Sequence, residues 1–312
     1  MPESGNPTKL AHARIVLLGM RCAFTEPVLR ALLQAPGVDL QAVVLPGQSP
    51  SPPAIPVDPV AGLAHANGIP RHELSHRSEL RAPAFRAAME AIAPDLIVVA
   101  CFPWRIPGWL RVLPRCGCLN IHPSLLPDGR GPEPVFWAFR RGLAKTGVTL
   151  HLVDAGFDTG PVVAQQRFAI PDDATLESLE RDLARLGARM LIDQVPALIA
   201  GTAVTVTQDN GPARPAPIPG PDDLVVPTTW SARHAARFIR AITPVYGPVP
   251  VLVHATGQRL AVHEVIGSDD GATISEPVRL TGSEADIRFT PGVLNVRLVD
   301  RPRPLQLHRN QR

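Results

Sequence analysis

Asn120 and His122 are the first residues whose types and spacing could do chemistry. They belong to the run CLNIH at 118–122, which predicts a buried strand, and residues two apart on a strand project from the same face. Pro123 has no N–H to donate, so the strand is expected to end directly after His122. An amide donor and an imidazole would then lie side by side. By itself the pair also fits a turn-capping Asn and a core His with its hydrogen bonds satisfied.

Asp158 is the third candidate. A second strand-like run, 148–153, is followed by DAGFDTG, in which two Gly and two Asp within seven residues favour a tight turn. That turn could bring Asp158 back against His122, although Asp in such a turn is often only turn chemistry. A carboxylate beside an imidazole favours the protonated ring. Asn, His and Asp would then supply an oxyanion donor, a proton acceptor and a group that orients the acceptor.

The preceding elements predict an open α/β sheet that positions these residues. An apolar strand at 14–19, a helix at 27–34 and a second strand at 40–45 form a β-α-β unit, which gives a parallel pair with a right-handed crossover. The run at 94–101 is apolar on both faces, as is typical of a buried strand in a parallel sheet. Segment 102–107 leaves its carboxyl end, where open α/β sheets bind ligands.

The last part of the chain has a different character. A Pro- and Gly-rich stretch at 208–227 predicts a linker between a domain of residues 1–207 and a domain of residues 228–312. Short strand-like segments with Gly turns follow a helix at 231–242 and predict a small β-barrel. The segments are 251–254, 259–265, 272–274, 286–289, 294–298 and 305–308.

Composition limits the classes of function. The chain has 312 residues, 45% of them hydrophobic, and its net charge of +3 is too small to indicate a nucleic-acid partner by itself. No apolar run approaches the ~18 residues that a membrane span needs, and no leader-like segment is present, so a cytoplasmic protein without a membrane partner is expected. The cysteines do not have zinc-ligand spacing and predict buried thiols in a reducing compartment. They are Cys22, Cys101, Cys116 and Cys118.

Four motifs together resemble the folate-dependent formyltransferase family: Asn120-Ile-His122, Ser124-Leu-Leu-Pro127, Arg130-Gly131 and Gly156-Phe-Asp158-Thr-Gly160. This family includes methionyl-tRNA formyltransferase, glycinamide ribonucleotide formyltransferase and the amino-sugar and siderophore formyltransferases. The resemblance implies the formyltransferase fold, a Rossmann-like open and mostly parallel sheet, followed by a small OB-like barrel as in several members. It also implies N10-formyltetrahydrofolate as the donor, no metal, and a catalytic trio of Asn120, His122 and Asp158.

The resemblance further implies where the donor binds. In the family, the segment that matches 102–107 lines the pterin pocket, largely with backbone groups. This sequence departs from the Tyr-Gly pair common there, so the pocket would differ in shape, and Phe102 or Trp104 could equally be packing residues. Residues 124–127 and Arg130 would shape the entrance, although the Ser124 hydroxyl equally fits an ordinary turn. The residues expected to contact the donor are Cys101, Phe102, Trp104, Ile106, Ser124, Leu125, Asp154 and Gly156.

The expected acceptor is a small-molecule amine, such as an amino-sugar nucleotide or a siderophore amine. The members that modify tRNA have a basic insertion after the second strand, whereas Pro46–Pro59 contains no Lys or Arg, and Asp128-Gly129 replaces their basic-aromatic pair. Methionyl-tRNA is the alternative acceptor, and a hydrolase that transfers the formyl group to water is a second alternative. A modest C-terminal arginine cluster would suit tRNA, because phosphates need cations, but it equally fits a solvated face of the barrel. It comprises Arg297, Arg301, Arg303, Arg309 and Arg312.

Overall fold

The computed structural model describes residues 12–47, 58–209, 211 and 213–299. The chain divides into two compact units. The first contains residues up to 127 together with 148–166 and 181–211, and the second contains 128–147, 167–180 and the chain from 212 onwards. No helix within the described ranges is both long enough and apolar enough to cross a membrane.

The larger of the two sheets has seven strands in the order β3-β2-β1-β4-β5-β6-β7. Pairs β1–β2, β2–β3, β1–β4 and β4–β5 are parallel, and β5–β6 is antiparallel. The predicted Rossmann-like, mostly parallel sheet is therefore confirmed. Its strands are β1 (Ala13–Gly19), β2 (Val38–Pro46), β3 (Arg71–Leu74), β4 (Leu96–Ala100), β5 (Cys118–His122), β6 (Lys145–Leu152) and β7 (Val162–Ala169).

Seven α-helices accompany the strands within the described residues. The longest, α6, is amphipathic: its apolar residues Leu179, Leu183, Leu186 and Met190 recur at intervals of four and three and are buried. A 3₁₀ turn, Arg77–Arg81, precedes α3. The helices are α1 (Thr25–Gln34), α2 (Pro59–Ala66), α3 (Pro83–Ile92), α4 (Gly108–Val112), α5 (Pro134–Arg140), α6 (Leu176–Ala200) and α7 (Ala232–Tyr246).

Strand β4 marks the point where the strand order reverses. All five of its residues are buried, as expected for a strand covered on both faces. The chain runs outward from β1 to β2 and β3 on one side, then returns to place β4 on the other side of β1. The carboxyl ends of neighbouring parallel strands on either side of such a point leave a crevice that binds ligands in open α/β sheets.

A second sheet of mostly antiparallel strands lies in the second unit, in the order β11-β12-β13-β10-β9-β8. Helix α7 contacts β9, β10 and β13 and buries Phe238, Ile239 and Ile242. The strand predicted at 272–274 is absent, 278–281 forms one instead, and the one predicted at 305–308 lies outside the described residues. The strands are β8 (Val226–Pro227), β9 (Val249–Val253), β10 (Gln258–Asp269), β11 (Val278–Thr281), β12 (Glu284–Arg288) and β13 (Val293–Leu298).

The segment 214–217 lies along the loop that precedes α5. Gly129 N–H donates to the Arg214 carbonyl at 2.8 Å, Ala216 N–H to the Arg130 carbonyl at 2.7 Å, and Glu133 N–H to the Ala216 carbonyl at 3.0 Å. A Cβ added to Gly131 would stand 2.6 Å from the Ala216 carbonyl oxygen. Glycine is therefore required at position 131. Part of the Pro-rich stretch that the sequence predicts as a linker, residues 214–217, is thus fixed by backbone hydrogen bonds, and this segment is called the strap below.

Candidate active site

Strand β5 places Asn120 and His122 on one face, as its alternation requires. Asn120 pairs with Val99 of β4 on one side and with His151 of β6 on the other. His122 is the last residue of the strand, and its side chain is buried. Both residues therefore lie at the carboxyl end of a central strand, where the sequence predicted them.

The turn after β6 carries Asp158 in a left-handed backbone conformation, φ +54°. Gln208 holds this conformation, because its side-chain N–H donates to the Asp158 carbonyl at 2.9 Å and to the Gly160 carbonyl at 2.7 Å. Gly160 is required, since a Cβ there would stand 1.8 Å from the Leu152 carbonyl oxygen. Asp154 closes the turn from within by accepting from Gly156 N–H and the Thr159 hydroxyl.

The three predicted catalytic residues meet in space. Asn120 Nδ2 donates to Asp158 Oδ1 at 3.3 Å, and His122 Nδ1 lies 3.7 Å from the same oxygen. Because only 16% of the Asp158 side chain is exposed, its carboxylate interacts with the imidazole in a partly desolvated site. This arrangement can stabilise an imidazolium and hold its orientation.

His151 is a fourth polar residue of the site that the sequence interpretation missed. Its Nε2 lies 3.0 Å from Asn120 Nδ2 and 3.5 Å from Asp158 Oδ1. Because the Asn120 amide nitrogen can only donate, His151 Nε2 accepts, and its Nδ1–H donates to the Leu152 carbonyl at 3.0 Å. The histidine was visible in the run 148–153, but only the antiparallel register of β5 and β6 brings it opposite Asn120.

A buried hydroxyl supports the loop that follows β5. Thr149 Oγ1 donates to the Ser124 carbonyl at 2.7 Å and accepts from Leu126 N–H at 3.1 Å. Gln165 Nε2 donates to the Leu126 carbonyl and to Thr149 Oγ1, both at 2.9 Å. The Ser124 side chain is buried. Hydrogen bonds from Thr149 of β6 and Gln165 of β7 therefore fix the backbone of this loop.

A pocket of about 100 Å³ opens beside the trio. Asn120, His151 and Asp158 form one part of its lining, and the exits of β4 and β6 form the rest. The rings of Phe102 and Trp104 stand edge to face, with centroids 5.6 Å apart. The further lining residues are Val99, Pro103, Arg105, Ile106, Val153, Asp154, Gly156 and Phe157.

The structure places the expected donor contacts in two groups. Phe102, Trp104, Ile106, Asp154 and Gly156 line the pocket. The pocket lining does not include Cys101, Ser124 or Leu125. Cys101 is exposed directly after the end of β4, and Ser124 and Leu125 belong to the loop that follows β5. Sequence reasoning also missed Arg105 and Phe157, whose guanidinium and ring lie 5.4 Å apart at the mouth, with Arg105 donating to the Ala155 carbonyl.

Comparison with known proteins decides the family. The family model described as "Formyl transferase" matches residues 53–195. A methionyl-tRNA formyltransferase of Acidobacterium capsulatum is 37% identical over 249 residues, which is 78% of this chain and 77% of that protein. The chain belongs to the folate-dependent formyltransferase family. Membership confirms the expected enzyme class, a formyltransferase that takes its formyl group from N10-formyltetrahydrofolate.

Two further relatives extend the match over more of the chain. The methionyl-tRNA formyltransferase of Geobacter sulfurreducens is 32% identical over 278 residues, 87% of this chain and 84% of that protein. That of Bordetella pertussis is 33% identical over 288 residues, 88% of this chain and 90% of that protein. The similarity thus includes residues of the second sheet as well as of the first.

Solved structures support the fold. An N-formyltransferase of Helicobacter canadensis, in complex with folinic acid and dTDP-3-aminofucose, superposes with a TM-score of 0.64 at 15% identity, covering 91% of this chain and 98% of that one. A glycinamide ribonucleotide transformylase of Symbiobacterium toebii gives a TM-score of 0.54 at 21% identity, covering 66% of this chain and 99% of that one. The formyltransferase fold is therefore confirmed.

The relatives correct the expected acceptor. A small-molecule amine as acceptor, with tRNA disfavoured, is wrong: relatives 32–38% identical over most of the chain are methionyl-tRNA formyltransferases. Neither sequence feature excludes tRNA. Pro46–Pro59 is one short segment, and the absence of Lys and Arg in its sequence says nothing about cations elsewhere. Asp128 pairs with Arg214 of the strap at 2.6 Å, so an acidic residue at this position has a structural role that does not depend on the acceptor.

Proposed function

We propose that this protein formylates the α-amino group of methionyl-tRNA, with N10-formyltetrahydrofolate as the donor. The main support for this proposal is that relatives at 32–38% identity over most of the chain are methionyl-tRNA formyltransferases. The assembled Asn120, His122 and Asp158 support the same chemistry. The proposed place of action is the cytoplasm, where aminoacyl-tRNA is made.

The pocket fits one end of the donor. Its apolar side chains, among them Phe102, Trp104 and Ile106, suit a flat heterocycle, and Asp154 adds a carboxylate at the rim. At about 100 Å³ the pocket is smaller than the roughly 300 Å³ at which ligand pockets begin, so a bound donor has to displace part of its lining. Phe157 is suited to move, because 66% of it is exposed.

His122 carries the proton in the proposed reaction. The acceptor nitrogen attacks the formyl carbon, and His122 removes a proton from that nitrogen. When the bond between the formyl carbon and N10 breaks, His122 returns the proton to N10. Asp158 stabilises the imidazolium between the two transfers. General acid–base help of this kind contributes roughly 10²–10⁴-fold to the rate.

Asn120 stabilises the negative charge that develops on the formyl oxygen. Removal of one such donor raises the barrier by roughly 2.7–4 kcal/mol in other enzymes. Both hydrogens of Asn120 Nδ2 have acceptors, His151 Nε2 at 3.0 Å and Asp158 Oδ1 at 3.3 Å. One of these bonds must therefore be exchanged for the oxyanion, and the longer bond to Asp158 is the weaker of the two.

The experiment is a formylation assay with the full chain, N10-formyltetrahydrofolate and methionylated initiator tRNA. Formylmethionine released from the tRNA is measured by mass spectrometry, and methionylated elongator tRNA is the matched control acceptor. Formylmethionine on the initiator tRNA supports the proposal. Unmodified methionyl-tRNA with a folded protein that still binds folinic acid would overturn it.

A further inference from the structure

Two thiols meet where the exits of β1 and β4 lie side by side. These strands are parallel neighbours, with Gly19 opposite Ala100. Cys22 lies in the turn after β1 and Cys101 directly follows β4. Cys22 Sγ lies 3.5 Å from the Thr25 hydroxyl, which donates to the carbonyl of Ala100, the residue before Cys101. Cys101 is exposed and Cys22 is half-buried, so small reagents can reach the pair from solvent. Neither thiol has a place in the proposed formyl transfer.

Thr25 fixes the position of Cys22 relative to β4. Its buried hydroxyl donates to the Ala100 carbonyl at 2.9 Å and accepts from Met20 N–H at 3.1 Å. Cys22 Sγ lies 3.5 Å from the same hydroxyl oxygen. A Cβ on Gly19 would stand 2.4 Å from Thr25 Cγ2, so the end of β1 packs directly against the Thr25 side chain. The two exits are thus held in one arrangement.

The environment makes Cys22 unlike the two cysteines nearer to β5. The hydrogen bond from Cys101, helped by the Thr25 hydroxyl and by backbone groups of Thr25 and Phe24, lowers the pKa of Cys22 to about 6 although burial opposes this. Burial raises the pKa of Cys118 to about 12 and also raises the pKa of Cys116. The lowered pKa favours the thiolate form of Cys22 over that of Cys116 and Cys118, and thiolates are the reactive form.

We propose that Cys22 and Cys101 form an oxidisable pair at the donor pocket, which a hydroperoxide closes into a disulfide that weakens donor binding. The Cys22 thiolate attacks a peroxide oxygen, the O–O bond breaks, and one alcohol or water leaves with Cys22 as the sulfenic acid. Cys101 sulfur then attacks Cys22 sulfur, and the sulfenic oxygen leaves as water with the proton of the Cys101 thiol. Two thiols supply the two electrons that the peroxide accepts.

The link to the pocket is covalent and short. Disulfide formation brings the two sulfurs to about 2.05 Å. The exit of β4 has to follow, and Cys101 is joined directly to Phe102, which lines the pocket beside Trp104. Cys101 already has a left-handed backbone, φ +59°, so a change in its torsions redirects the segment that carries these rings.

The test uses the full chain and hydrogen peroxide, without any acceptor. After peroxide treatment, remaining thiols are alkylated, and peptide mass spectrometry is expected to find Cys22 joined to Cys101. The dissociation constant for folinic acid is expected to rise several-fold and to return to its first value with dithiothreitol. Cys22→Ser is expected to keep the same constant before and after peroxide, whereas Cys116→Ser, the matched control, should respond like the unaltered protein.

Two results would overturn the proposal: no Cys22–Cys101 cross-link under these conditions, or a cross-link with an unchanged dissociation constant. Both readouts are independent of the acceptor. Failure to formylate methionyl-tRNA would therefore leave this proposal standing, and its own failure would leave the proposed acceptor standing.

Discussion

The Asn120 amide nitrogen connects the polar side chains of the candidate site. It joins the Asp158 carboxylate to His151, so the candidate site is a network of four polar side chains on β5, β6 and the following turn. In such a network, each member fixes the orientation of the next, and substitutions are not additive. The individual contributions can nevertheless be separated by choosing variants that keep the backbone conformation.

Asp158→Asn tests the carboxylate itself. Asn tolerates a left-handed backbone, here φ +54°, and keeps the shape of the side chain while removing its charge. We expect kcat to fall by roughly 10²–10⁴-fold, because the imidazolium of His122 loses its stabilising partner. The kcat of His122→Ala should fall by at least the same factor. Urea unfolding should show that both variants remain folded, and full turnover by either would refute the catalytic assignment.

His151→Ala tests the positioning of Asn120. The lost hydrogen bond is worth about 1 kcal/mol, which corresponds to about a fivefold decrease in kcat. The KM for methionyl-tRNA should stay unchanged, because His151 is expected to act through Asn120. His151→Gln can restore an acceptor near Asn120 Nδ2 and should recover part of the rate. Equal losses for Ala and Gln would argue against this positioning role.

At the scale of elements, the strap at 214–217 fixes the start of α5. Asp128 pairs with Arg214, and this partner keeps the pKa of the Asp128 carboxyl below its usual value. Trp137 Nε1–H donates to the Pro217 carbonyl at 2.7 Å, and Arg141 donates to the Pro215 carbonyl. A Pro-rich segment without regular structure is thus ordered by side chains of the helix beside it.

Glu133, which precedes α5, makes stability depend on pH. Burial raises the pKa of Glu133 to about 7, so the folded protein keeps this proton while the unfolded chain releases it above about 4.5. Stability contributed by this group is therefore lost as pH rises from about 4.5 to 7, and the loss is constant above that. Glu133→Gln should match the unaltered protein near pH 4 and be more stable by up to about 3 kcal/mol at pH 8.

Urea unfolding at the two pH values measures this difference. The exposed Glu276 provides the control, because Glu276→Gln alters a glutamate that is already in water. A difference between Glu133→Gln and the unaltered protein that does not change with pH would show that the Glu133 carboxyl is ionised in the folded state.

At the scale of the molecule, the proposed recognition of tRNA would have to come from a chain with a net charge of only +3. Part of its basic residues are already paired: Arg297 contacts Glu264 and Glu284, and Arg233 and Arg237 share Asp172. Of the arginines expected to bind phosphate, Arg301, Arg303, Arg309 and Arg312 lie outside the described residues. If the chain binds tRNA as proposed, the distribution of its cations, and not its total charge, decides the affinity.

Salt dependence measures that distribution. Because each neutralised phosphate releases counterions, we expect the affinity for methionyl-tRNA to fall with salt at a log–log slope steeper than about −2, which corresponds to about three phosphate contacts. The dissociation constant for folinic acid should change far less over the same range. A slope near zero for methionyl-tRNA would contradict binding through its phosphates.

The sequence by itself determined the residue types of the site and the elements that carry two of them. Alternation on a short strand places Asn120 and His122 on one face, and buried apolar runs predict the parallel sheet, because these features depend on neighbouring residues alone. The division of the chain at 207 and 228 was likewise read from composition and stays a prediction.

Only the tertiary structure decided which distant residues meet. His151 reaches Asn120 because β6 runs antiparallel to β5 in one particular register, and a shift by one residue would turn it to the other face. Asp158 reaches His122 because Gln208, far along the chain, holds its turn. Cys22 meets Cys101 because β1 and β4 are neighbours. Such pairings depend on strand order and register, which no local pattern encodes.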